Sequence, residues 1–225
     1  TETQVIALSA MGEPGEQPVL WDFRIDSGRG AGQWSRIRVP SCWEQEGFGT
    51  YYYGTQGRHK PDDDPVIPKE RGDYRTEFFV PAQWRGQQVR VVFEAAMTDT
   101  TVRINGQSAG PTHQGGFYRF HYDISSLVKF GARNLLDVSV SKESANVSVN
   151  HAERRGDYWT FGGIYRPVWL EARPQDHIEW TAIDARADGS FYAQVHLETA
   201  APAQSRVRAR IIDEQGNGIG APLVA

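Results

Sequence analysis

The sequence predicts an all-β protein built from two packed antiparallel sheets, a sandwich or jelly roll. Three observations carry this expectation. Apolar residues alternate with polar ones along several runs, and Gly, Pro and Asn recur between the runs. The only trace of helical period is a single turn near "DISSLVKFG", which Gly131 would stop. A parallel α/β fold is disfavoured. With 225 residues the chain can bury one sizeable core and part of a second.

Taken in order, the first long feature is irregular. "GFGTYYYGTQGRHKPDDDPVIPKERG", Gly47 to Gly72, holds five Gly, three Pro, three adjacent Tyr and three adjacent Asp. Loops of this length are functional or disordered, and the aromatics favour a packed, functional one. "QVRVVFEA" then sets Val89, Val91 and Phe93 against Arg90 and Glu94, a strand with one buried face. In "TTVRINGQSAG" an Asn105-Gly106 pair follows an apolar strand, which predicts a tight hairpin, because both central residues of a type I′ turn need positive φ. "FYRFHYDI" alternates Tyr118, Phe120, Tyr122 and Ile124 with Arg119, His121 and Asp123. "LLDVSVSK" does the same with Leu136, Val138 and Val140. Near "EARPQDHIEW", Pro174 ends a strand, and a new alternating set begins with "FYAQVHLETA" and "SRVRARIID". From Ile178 to Ala225 there are 48 residues, about half of the roughly 100 an immunoglobulin-like sandwich needs. The second domain is expected to be truncated, with exposed strand edges and apolar faces.

Composition excludes several classes of function. A net charge of −4 with scattered Arg gives no footprint for nucleic acid. No apolar run reaches the length of a membrane span, and the N-terminal "TETQVIALSA" shows no signal pattern and reads as processed or cut. Cys42 is the single cysteine, so neither an intrachain disulfide nor a CxxC site can form, and it reads as a small buried hydrophobe. No metal and no cofactor is expected. "KPDDDP" lacks the spacing of a calcium loop, and the six His lack metal-ligand spacing. Neither a serine nucleophile elbow nor a phosphate-binding glycine loop is present. Asn146-Val147-Ser148 is a lone glycosylation sequon. The unusual quantity is aromatic content, 12% with seven Trp.

"WDFRID", "VPSCWEQEGFG", "GDYRTEFFVP", "VRINGQSAGPTHQGGFYRFHYDISSLVKFGARNLLDVSV" and "DYWTFGGIYRPVWLEARP" follow one another in order. Together, from about Val19 to Pro174, they resemble the N-terminal sugar-binding domain of glycoside hydrolase family 2, the group of β-galactosidases, β-glucuronidases and β-mannosidases. "HIEWTAIDAR" resembles the opening of the immunoglobulin-like domain that follows in that family. The resemblance implies a jelly-roll, galactose-binding-like sandwich over 1–175 and a partial immunoglobulin-like sandwich over 176–225. Members are retaining enzymes with two glutamates roughly 5 Å apart on a (β/α)8 barrel. That barrel would follow this chain, which is then inactive alone.

The same resemblance gives residues their roles. Asp157 matches the carboxylate that reaches into the barrel's active site and accepts hydrogen bonds from sugar hydroxyls. A carboxylate suits this because it offers about four lone-pair sites and forms charge-assisted bonds. Tyr158 and Trp159 would wall the apolar face of a pyranose, with part of "GFGTYYYG" at the rim. Gly162 and Gly163 would allow a tight turn or close packing, and Arg166 would pin the loop through its fork of donors. A second sugar-contacting position of the family falls on "PKERG", at Lys69, Glu70 or Arg71; a basic side chain there, Lys69 or Arg71, would answer an acidic or sulfated sugar. His113 and Gln114 fall at a structural turn. The bland alternatives are a turn-capping Asp157, core roles for Trp159, Phe161 and Trp169, and solvated charges in the loop.

The expected function is therefore the non-catalytic N-terminal region of a family 2 exo-glycosidase acting on terminal β-linked sugars, with a carbohydrate substrate and the catalytic barrel as partners. A stand-alone lectin or carbohydrate-binding module is the alternative, and a sandwich supporting homo-oligomer contacts is a third reading. A role in polysaccharide degradation favours the periplasm or the exterior over the cytoplasm.

Overall fold

A run that alternates apolar and polar side chains can bury one face as a strand, and the computed structural model shows where each run pairs. It describes residues 2–54, 67–199, 201 and 204–225. The acidic "KPDDDP" run lies outside the described residues. The chain divides into two compact units, Thr3–Ala172 and Arg173–Ala225.

The first unit begins with β1 (Gln4–Ala7), β2 (Val19–Ile25), β3 (Ser35–Val39) and the two-residue β4 (Tyr52–Tyr53). Then come β5 (Arg71–Val80), β6 (Gln88–Phe93), β7 (Asp99–Ile104), β8 (Gln107–Ser108), β9 (Phe120–Asp123) and β10 (Ala132–Ser141). A helix, α1 (Val147–Glu153), precedes β11 (Trp159–Thr160) and β12 (Val168–Arg173). One sheet runs β1-β12-β6-β9 and the other β3-β2-β5-β10-β7-β8, while β4 and β11 form a separate ribbon. The inward residues of both larger sheets, Trp21, Phe23, Tyr74, Val138 and Val140 from one and Val91, Phe93 and Leu170 from the other, meet in one apolar core. This is the two-sheet sandwich that the alternation predicts.

The β7–β8 turn has the expected chemistry: Asn105 and Gly106 take φ of 52° and 82° between Ile104 and Gln107, which pair. The Asn105 side chain also donates to Leu127 O at 2.9 Å and accepts from Leu135 N at 3.0 Å, so the turn is stitched to β10.

Four expectations are corrected. β6 is buried on both faces, Arg90 and Val92 included, so its alternation did not mark a solvent face. Tyr118 does not join the buried set of β9, which starts at Phe120 and leaves Tyr118 exposed. Cys42 is half-buried rather than fully buried; burial still pushes its thiol up to about 11, which makes it inert. The helix α1 was not expected at all. Its buried residues, Asn150 and Glu153, are polar, so no apolar stripe advertises it, and Val147 and Val149 are weak helix formers. Asn146, the sequon asparagine, is its N-cap and accepts from Ser148 N at 3.0 Å.

The second unit consists of two antiparallel hairpins. β13 (His177–Ala185) pairs with β14 (Phe191–Glu198), and β15 (Arg208–Ile212) pairs with β16 (Gly218–Val224). Its apolar side chains are open to solvent: Ile183 is 64% and Val224 66% exposed, and Ile178, Trp180 and Ile219 are also exposed. The expected exposure of apolar faces is present.

Candidate functional site

The site starts from the β4–β11 ribbon, where Tyr53 pairs with Trp159 and Tyr52 with Thr160. Pairing brings two loops together that are about a hundred residues apart in sequence. Gly54 N donates to Tyr158 O at 2.8 Å and Thr160 Oγ1 to Tyr52 O at 3.3 Å, which closes the ribbon. Period two then sorts the tyrosines: Tyr52 is buried, while Tyr51 and Tyr53 stand on the other face.

On that face Trp159, 51% exposed, meets Tyr53 edge-on at 5.1 Å between ring centroids and Tyr51 at 5.7 Å. Tyr51 in turn meets Phe161 at 6.1 Å, and the Arg29 guanidinium lies 5.2 Å from the Tyr51 centroid. Asp157 is exposed beside this patch, and Tyr53 Oη donates to its Oδ1 at 2.8 Å. That bond holds the Tyr53 hydroxyl above its ordinary value. It also fixes the carboxylate while leaving its other oxygen for a ligand. Tyr158 points its hydroxyl at Glu153 O, 2.8 Å away, and so is anchored to the end of α1.

Beneath the patch lies a buried set of charges that the sequence reading missed. Lys142 is fully buried, and its Nζ donates to Glu44 Oε1 at 2.6 Å, Thr50 O at 2.6 Å and Glu70 Oε2 at 3.3 Å. The Glu44 carboxylate also accepts from Gly162 N at 3.1 Å, and burial holds this carboxyl above the ordinary carboxylate range against the pull of Lys142. Buried Arg154 donates to Phe161 O and to Met97 Sδ. These groups therefore tether the backbone just before Tyr51 and just after Trp159, the two strands of chain that display the aromatics. A signal for Lys142 existed: the register that turns Leu136, Val138 and Val140 inward turns residue 142 inward too.

Gly162 and Gly163 sit where the backbone packs too closely for a side chain. A Cβ at Gly162 would stand 2.1 Å from Trp43 Cζ2, and Gly163 has φ of 119° with Ser41 O 2.9 Å from where a Cβ would be. Arg166 does not pin the loop. It is exposed over the Tyr165 ring at 5.4 Å, and the pinning falls to Arg154, whose burial forces it to find acceptors. Lys69 and Arg71 line a hollow of about 230 Å3 with Asp26, Glu70, Ser141 and Glu143, a set that shares no residue with the Asp157 patch. Lys69 lies 4.0 Å from Glu143 and Arg71 3.6 Å from Asp73. His113 stacks on Phe120 at 3.8 Å and Gln114 donates to Asp99 at 3.1 Å, both packing roles. Among the described residues no group of three or more His, Cys, Asp or Glu could hold a metal ion, and no helix is long and apolar enough to cross a membrane.

A β-sandwich that presents a tethered carboxylate among exposed aromatics on joined loops has the form of a carbohydrate-binding domain. Residues 28–174 match the family described as "Glycosyl hydrolases family 2, sugar binding domain". The chain belongs to this family. It is 32% identical over 151 residues to a β-galactosidase of Thermoanaerobacter pseudethanolicus, covering 65% of this chain and 20% of the relative. To a β-galactosidase of Pseudoalteromonas haloplanktis it is 30% identical over 188 residues, covering 81% and 18%. To a β-glucuronidase of Bacteroides fragilis it is 25% identical over 201 residues, covering 85% and 24%. The chain thus spans about a fifth of the length of the curated relatives it matches. A Faecalibacterium prausnitzii β-glucuronidase structure shares the fold at a TM-score of 0.68 and 21% identity, covering 99% of this chain and 39% of that one.

Proposed function

We propose that this chain is the N-terminal, non-catalytic region of a retaining family 2 exo-glycosidase that hydrolyses terminal β-linked sugars. In this reading Asp157 accepts sugar hydroxyls, Trp159 and its tyrosine neighbours wall the sugar, and the catalytic carboxylates belong to protein outside this chain. The single observation that supports it most is the exposed Asp157 carboxylate, held by the hydroxyl of Tyr53, whose ring meets Trp159, which in turn meets Tyr51. The likeness to β-galactosidases and β-glucuronidases several times its length supports the shared-site form of this reading over a stand-alone lectin. We read Arg173–Ala225 as the opening of an immunoglobulin-like sandwich, since its exposed Ile178, Trp180 and Ile183 are residues such a core would cover.

The test is kinetic and uses the full-length protein that carries this chain. Asp157→Asn removes the charge and keeps the shape, so kcat/KM should fall roughly 10- to 100-fold, the worth of a hydrogen bond to a charged group. Circular dichroism should stay unchanged. Unaltered kinetics would reject the sugar-contact role.

A further inference from the structure

The outer face of the six-stranded sheet is charged in rows. Its inward neighbours, Phe23, Tyr74 and Val138, are core, so the intervening side chains must face out. Register places Asp22, Arg75, Asp137 and Arg103 opposite one another across β2, β5, β10 and β7, with signs alternating. In the next row Arg24 faces Asp73, which faces Ser139. The pairs close tightly: Arg75 Nε to Asp137 Oδ1 at 2.7 Å, Arg24 Nη2 to Asp73 Oδ2 at 3.0 Å and Ser139 Oγ to Asp73 Oδ1 at 2.7 Å.

Such rows stabilise a sheet by themselves, at about 0.2–1 kcal/mol per pair, but they need neither a hollow nor an indole. Here both are present. Trp34, just before β3, is 46% exposed and stands over two guanidiniums, 5.1 Å from Arg24 and 5.2 Å from Arg75. It walls a hollow of about 320 Å3 whose floor is these charged rows. No residue lining this hollow belongs to the Asp157 patch.

We propose that this hollow is a second saccharide-binding site, separate from the one that Asp157 serves. A hydroxyl both donates and accepts, so a polyol matches a floor on which guanidinium donors and carboxylate acceptors alternate, and the C–H face of a pyranose suits the indole. A polyanion fits worse. The three guanidiniums of Arg24, Arg75 and Arg103 are nearly balanced by the carboxylates of Asp73 and Asp137. The ligand is therefore a neutral sugar or a neutral stretch of a polysaccharide.

The test is an NMR titration of the chain with lactose, reading the Trp34 indole N–H and the Thr101 and Ser139 amides. Saturable shifts with a Kd on the order of 1 mM are expected. Trp34→Ala and Arg103→Gln, the latter also giving up the bonds of its guanidinium to Gly106 O, should each weaken binding about tenfold or more while the amide spectrum away from the hollow stays that of the wild type. Asp157→Asn and Trp159→Ala should leave these shifts in place, which separates this site from the proposed substrate contact. Shifts that fail to saturate, or that vanish in Trp159→Ala and persist in Trp34→Ala, would overturn the proposal. Binding confined to a glucuronate-containing disaccharide and abolished by salt would overturn it as well, since an anion site would then be at work.

Discussion

Lys142 is a fully buried ammonium of the site and an informative residue to remove. An ammonium withdrawn from water is tolerated only with partners, and here Glu44, Glu70 and Thr50 O supply them. Lys142→Met should strand two buried carboxylates and lower stability by about 3–5 kcal/mol in urea denaturation. Adding Glu44→Gln and Glu70→Gln should recover part of the loss, because the stranded charges are then gone. A triple variant no more stable than the single one would contradict the account. Asp157 was legible only through family resemblance, since an acidic loop residue beside aromatics has no spacing of its own to read. Its partner Tyr53 was visible as a member of an aromatic loop but not as a hydrogen-bond donor. The contact joins positions 104 apart in sequence, and no local pattern encodes such a pairing. Arg154 and Arg166 show the same limit: both flank the glycines, and only the fold decides that Arg154 is inside.

At the scale of elements, strands were read well where one face met the core and the other met solvent, as in β10, or where a turn demanded special φ, as between β7 and β8. β6 escaped because both its faces are covered, and α1 because its inner face is polar. The turn before β9 carries a pH dependence. Burial holds the His113 imidazole below its ordinary 6.5, against the favourable pull of Gly115 O, Asp99 and Glu153. The unfolded chain therefore binds this proton more readily than the folded one. The contribution of His113 to stability is complete above 6.5 and is lost as pH falls from there through the lowered folded value. Thermal melts of the wild type should lose stability through that window, and His113→Gln should flatten the slope there. An equal slope in both proteins would remove His113 as the cause.

The whole chain is a complete sandwich followed by a unit whose hairpins expose their apolar residues. The sandwich contains its own core, while the second unit and the Asp157 patch are both open surfaces. The central claim is that the patch is part of a sugar pocket finished by protein beyond this chain. It is tested most directly by a crystal structure of the full-length protein with a bound sugar-mimicking inhibitor. The account predicts an Asp157 carboxylate oxygen about 2.5–3.0 Å from a hydroxyl of that sugar, with Trp159 along the ring's apolar face. A sugar held entirely by other residues, with Asp157 out of hydrogen-bond reach, would contradict it.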